Sequence, residues 1–450
     1  MKSIEMKSIE GFDFISLGFD SDGNLNNQPA LDELKSRAKS ATDVIVIAHG
    51  FRNSEADASD LYTEFLKNFR ENLKRPELAS LNGRNYVVAG VFWPSKSLAE
   101  AERDAARNVL AADSPAEIKA AEREAVARQL RDLRETVACE EQKPRIDRAI
   151  ELLPELDKSK EARDEFVKNV ESLLDDVELE EMEGLGKVRS KSGSELLKRL
   201  EPPVVLPVSS GPSGGNVSGL SGSLGGGTTG QVQGFTDVVG SVFGAAKRFL
   251  NMTTWYVMKD RAGTVGSNGT ANVVRQVAAA KSGIRIHLVG HSLGGRLVAA
   301  CAKALPSQSI ASLTLLQAAF SHYGLSTNKQ NQPGFFRDIL NKQVVRGPII
   351  ATHSDRDSTV GLAYALASRL AGDNVKAVGD ENDDFGGIGR NGTQRLEAAV
   401  KQKLRKAGST YDFKAGVVTN LNGSGDLIKD HSDIRNEAVT FAFASALART

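Results

Sequence analysis

Two apolar runs, VIVIA at 44–48 and YVVAGVFW at 86–93, show no alternation of polar and apolar residues. A strand with one face in water alternates; one this uniformly apolar is covered on both faces. Helices supply such cover in a parallel sheet. The rest of the chain keeps the same rhythm. FDFISLGF at 12–19, IRIHLV at 284–289, SLTLL at 312–316 and PIIAT at 348–352 read as strands, with 413–418 a weaker one. Segments 31–40, 58–73, 269–281, 362–370 and 437–448 read as helices; in the second, Leu61, Phe65, Leu66 and Phe69 recur at helical spacing. Strands separated by helices predict βαβ crossovers, hence an α/β fold with a mainly parallel sheet flanked by helices.

The chain has 450 residues, long for one compact unit. Composition places the break. Residues 95–200 are rich in Ala, Glu, Lys, Arg and Leu, as in AEIKAAEREAVARQLRDLRETVA, which predicts helices with exposed charged faces. A Gly/Ser-rich stretch at 209–230 is expected to be flexible. An apolar, partly aromatic helical pattern follows at 232–259. The expected organisation is therefore a core of 11–94 and 251–450, with a mostly helical insertion over 95–250.

Lys+Arg and Asp+Glu both total 57, so the balance favours no nucleic-acid partner. Two cysteines, Cys139 and Cys301, make no disulfide framework. The start, MKSIEMKSIEGFDF, lacks the apolar core of a signal peptide, and no run of some 18 apolar residues occurs. The expectation is a cytoplasmic protein with no membrane span, with signal-independent export left open. The doubled MKSIE is set aside from the fold expectations. The histidines are dispersed, so neither a metal site nor a cofactor is expected.

The stretch HLVGHSLGG at 287–295 joins strand to helix with almost no loop. Glycines flank the turn because side chains there would strike the neighbouring elements. A serine in such a turn, Ser292, points its hydroxyl away from the sheet, as in the G-x-S-x-G nucleophile elbow. A serine hydroxyl needs a base to take its proton, and the base needs a carboxylate to hold its tautomer. In the chain order Ser, acid, His, the acid follows a later strand and the histidine lies near the C-terminus. HSDRDSTV after PIIAT offers Asp357 and, as the alternative, Asp355. His431 lies in NLNGSGDLIKDHSDI, before the closing helix. An oxyanion would need two N–H donors: that of Leu293, after the serine, and that of Phe51, after the strand ending in His49-Gly50.

These elements resemble the α/β-hydrolase superfamily of serine esterases and lipases. Within it, HGFRNS, FWPS, WYVMKDRAG, GHSLGG and HSDRD are similar to a largely uncharacterised bacterial group. The resemblance covers about 11–95 and 251–450; the intervening stretch departs from it and lies where many lipases carry a cap. It implies Ser292 as nucleophile, His431 as base, Asp357 as acid by the spacing to Val360, and Phe51 and Leu293 as oxyanion donors. It also implies an ester of a lipid or small acyl group as substrate, with 232–259 roofing the acyl pocket. Two rivals stand beside this: an amidase or peptidase with the same triad, and a hydrolase-like scaffold that binds another protein. Residues 95–200 are a candidate surface for self-association or a protein partner. Of the other histidines, His49 is expected to brace its loop, His291 to pack or touch the substrate rim, and His287 to be a satisfied core residue; His322 and His353 receive no role.

Overall fold

The computed structural model describes residues 7–95, 114–137, 139–202, 206, 241–371 and 381–450. The described chain is α/β, with a nine-stranded sheet flanked by helices. Its strands are β1 (Lys7–Ile9), β2 (Phe12–Gly18), β3 (Asp43–Ala48), β4 (Tyr86–Phe92), β5 (Arg285–His291), β6 (Ser312–Leu316), β7 (Ile349–His353), β8 (Val400–Lys403) and β9 (Val418–Asn422). They lie in the order β1-β2-β4-β3-β5-β6-β7-β9-β8, and every neighbouring pair is parallel except β1 with β2.

The chain separates into two compact units: Met1–Ser95 with Arg261–Val360 and Gly386–Thr450, and Lys96–Asp260 with Gly361–Phe385. The first holds the sheet. The uniformly apolar runs sit in its middle, and all six residues of β3 are buried. On one face Ile45, Ile47 and Val88 pack with helices Glu55–Asn72 and Glu437–Leu447. There Phe65 and Phe69 meet Phe443 at ring-centroid distances of 5.3 and 5.2 Å. Helix Leu293–Lys303 packs on β3, β5 and β6, and every residue from Leu293 to Ala302 is buried. A helix with no polar face has to be enclosed.

The amino ends of β3 and β5 are locked by Asp43. Its carboxylate accepts from Arg285 Nε (2.7 Å) and Arg84 Nη1 (3.2 Å) and lies 3.0 Å from His287 Nε2. Burial alone would raise this carboxyl, but hydrogen bonds from His287, Arg285 and Thr42 outweigh it and hold it well below the usual carboxylate range. His287 is thus a core residue with both nitrogens engaged, the second on Ser312 Oγ at 2.8 Å.

Four expectations are corrected. Part of the stretch set aside takes part in the fold, because Lys7–Ile9 pairs antiparallel with Phe12–Gly18. The last strand of the weak stretch lies at 418–422 rather than 413–418; Tyr411 and Phe413 stack on each other instead (4.8 Å, 9°). Strand β8 was not foreseen: VKQK has little apolar content because it is a half-exposed edge. Residues 251–260 and 361–385 group with the insertion, not with the core.

The second unit is helical, with Pro115–Thr136, Lys143–Leu152, Lys160–Glu171 and Gly193–Leu200 among its elements. Serines start three of them: the side chains of Ser114, Ser159 and Ser192 accept from the N–H three residues on. Val126, Leu130, Ile146, Phe166, Val170 and Leu197 are buried between the helices. The Gly/Ser-rich 209–230, and 232–240 of the apolar pattern, lie outside the described residues; the pattern's remainder belongs to helix Val242–Thr264.

This unit also buries an ion pair. Lys259 Nζ donates to Glu183 and, at 2.6 Å, to Tyr364 Oη, and lies 4.0 Å from the Trp255 ring centroid. Removing one partner of such a pair leaves a buried charge uncompensated. Lys259→Met is expected to destabilise the unit by about 3–5 kcal/mol, with Lys259→Met/Glu183→Gln recovering part of the loss. Denaturant unfolding checks this; a single variant as stable as the wild type would mean the pair contributes no stability.

Candidate active site

All strands from β2 to β9 run the same way, so their carboxyl ends open on one edge of the sheet. Chain order reverses between β3 and β5, since β4 lies on the far side of β3. Ligand crevices of open α/β sheets form at such a point. The loops after β3 and β5 are the two that meet there.

Ser292 directly follows β5 and precedes helix Leu293–Lys303 with φ +57° and ψ −124°. That backbone is strained for any residue with a Cβ, by about 1–3 kcal/mol. The surroundings over-determine it. Ser292 N–H donates to Leu316 O (3.0 Å), and its carbonyl accepts from Gly295 and Ala319 N–H at 2.9 and 3.0 Å. Gly294 leaves no room for anything larger: a Cβ there would stand 2.3 Å from Ala48 O. Gly50 is equally constrained, since its Cβ would stand 2.8 Å from Ser292 Cβ. The turn after β3 is thereby pressed against the serine.

That turn is braced from behind. His49 Nδ1 lies 2.9 Å from Gly50 O, which only accepts, so Nδ1 carries the proton. Nε2 is then free to accept from Trp93 N–H at 3.4 Å. Trp93 Nε1 donates to His49 O (3.0 Å), and Arg52 N–H donates to Ser95 O (2.9 Å). Burial pushes the His49 pKa down to about 4, so its ring is neutral. The expected bracing role of His49 is what these contacts describe, with Trp93 and Ser95 as its partners.

The residues expected as acid and base lie in the loops after β7 and β9. His431 Nδ1 and Asp357 Oδ2 are 2.9 Å apart. Asp357 is fully buried, and its other oxygen accepts from Val360 N–H at 2.9 Å. For Asp355, the alternative acid, the N–H donates to Ser424 Oγ (3.0 Å) and the carbonyl accepts from Arg390. The two loops are sewn together where Ser354 Oγ donates to Ile428 O at 3.0 Å.

His291 ties the base to the elbow. Its Nε2 lies 2.9 Å from His431 O, and the two rings are 4.7 Å apart between centroids. The carbonyl accepts, so Nε2 carries the proton. Burial, and then the neighbouring His431, lower the His291 pKa well below the usual value; its ring stays neutral and unsuited to take a proton. Among the described residues no hydrogen bond joins Ser292 Oγ to His431. Such bonds commonly tighten only around substrate. Ser292 and His431 are 6% and 7% exposed, so both stand at the rim of the enclosed cluster. Leu293 N–H opens a helix and has no intrahelical acceptor. Phe51 follows Gly50 directly.

One site residue has no counterpart in the sequence reading. Gln317, the first residue after β6, is fully buried and donates from Nε2 to Asp430 O (2.9 Å) and Asp357 Oδ2 (3.4 Å). A polar residue directly after an apolar strand is the signal available, the same one that marks Ser292 after β5. Among the described residues no three His, Cys, Asp or Glu side chains converge as metal ligands. No described helix is long and apolar enough to cross a membrane.

Comparison with protein-family profiles, curated proteins and solved structures returns no match.

Proposed function

We propose that the chain is a serine hydrolase of α/β-hydrolase fold that cleaves carboxylic esters, of lipid or other acyl type, through an acyl-enzyme. The observation that carries the reading is the Asp357–His431 bond, tied through His291 to a serine in strained backbone at a strand–helix turn. Asp357 accepts from Nδ1, which leaves Nε2 as the basic atom. Ser292 Oγ attacks the ester carbonyl carbon while Nε2 takes its proton. The N–H groups of Phe51 and Leu293 receive the resulting oxyanion. The C–O bond to the leaving group breaks, and the alcohol departs with the proton held on His431. Water then adds to the acyl-enzyme by the same route, giving the free acid and restoring Ser292. No step needs a cofactor.

The preference for esters rests on the resemblance and on the apolar helical pattern at 232–259. A series of p-nitrophenyl esters of rising acyl length, set beside peptide anilides, tests it. The expected result is ester hydrolysis with a clear optimum in chain length. Turnover of the anilides alone would replace the reading with an amidase. Silence on both series, with no labelling by a fluorophosphonate probe, would favour the scaffold reading.

A further inference from the structure

Gln317 carries two features that a purely structural residue at its position would shed. Its backbone is in the left-handed region (φ +43°), which a glycine occupies without strain. Its Oε1 is buried with no hydrogen-bond partner, which a shape-matched apolar side chain would not bury. What its side chain does make is aimed at the site: both contacts of Nε2 are to acceptors, Asp430 O and the same Asp357 oxygen that His431 Nδ1 engages. The identity of Nε2 is fixed by those acceptors, since exchanging the amide would set oxygen against oxygen. Its main-chain N–H is anchored as well, on Thr352 Oγ1 of β7 at 3.1 Å.

We propose that Gln317 is a positioning residue that couples the acid to the base. One of its two amide protons competes with His431 for Asp357 Oδ2, which limits how much negative charge faces the imidazole. The other holds the carbonyl just before His431. Together with His291 on the next carbonyl, this grips consecutive peptide units of the base loop from the ends of β6 and β5. The proposal rests on the triad reading above.

Gln317→Met, close in shape but without donors, tests it in two measurements. Labelling of Ser292 by a fluorophosphonate is expected to slow about tenfold, equivalent to ~1.4 kcal/mol, with the thermal midpoint within about 4 °C of the wild type. The downfield imidazole Nδ1 proton of His431, assigned by its loss in His431→Gln, is expected to move, because Asp357 Oδ2 has lost its second donor. A resonance that stays in place, or labelling within about twofold of the wild type, overturns the proposal. Should Gln317→Met not fold, Gln317→Leu likewise removes the donors without adding a charge, and the same two results decide. If the wild type is not labelled at all, the hydrolase reading fails, while the proton resonance still decides the role of Gln317.

Discussion

Ser292→Ala is expected to abolish fluorophosphonate labelling and to lower ester turnover by about a millionfold, the scale seen when a triad serine is removed. Neither His291 nor Cys301 offers a replacement nucleophile: His291 is neutral and donates its one ring proton to a backbone carbonyl, and Cys301 is buried, its thiol pushed well up by that burial. Ser292→Gly is the informative companion. It removes the hydroxyl and also the Cβ that makes φ +57° costly. It should therefore be as inactive as the alanine variant yet more stable, by about 1 kcal/mol. Equal activity in the alanine variant and the wild type would end the case for Ser292 as nucleophile.

Asp357→Asn is the second large effect. An amide placed at 2.9 Å from His431 Nδ1 can present its NH2 group there, which favours the tautomer with the proton on Nε2 and leaves no base for the serine. Labelling is expected to fall about 10⁴-fold with the fold intact. Asp355→Asn is the control, because Asp355 stands two residues away on the same loop while Asp357 Oδ2 is the oxygen that faces His431 Nδ1. It is expected to label close to the wild-type rate. A reversal of the two results would transfer the acid role to Asp355.

Why were these positions visible before any coordinates? Ser292, Asp357 and His431 are polar residues in the segments that follow β5, β7 and β9, in the chain order that a parallel sheet can bring to one edge. Buried strands announce themselves through uniform apolarity, so β3, β4, β5, β6 and β7 were legible within a residue or two. Strand β8 was not, since an edge strand of alternating exposure needs no apolar run. Tyr411 and Phe413 misled in the opposite sense: two buried aromatics in a loop mimic strand composition. Gln317, and the bond that His291 makes, escape for a different reason. Their roles depend on backbone carbonyls at 430 and 431, and a carbonyl leaves no trace in residue identity. Residues 361–385 could not be assigned by composition, because AYALASRLA reads the same whichever body it is packed in.

The closeness of Gly50 to Ser292, and of Gly294 to Ala48 O, has a bearing on endurance. The parts that would receive the developing charge are wedged between the two central strands, where local opening is dearest. Heat is then expected to loosen these two turns only when β3 and β5 themselves come apart.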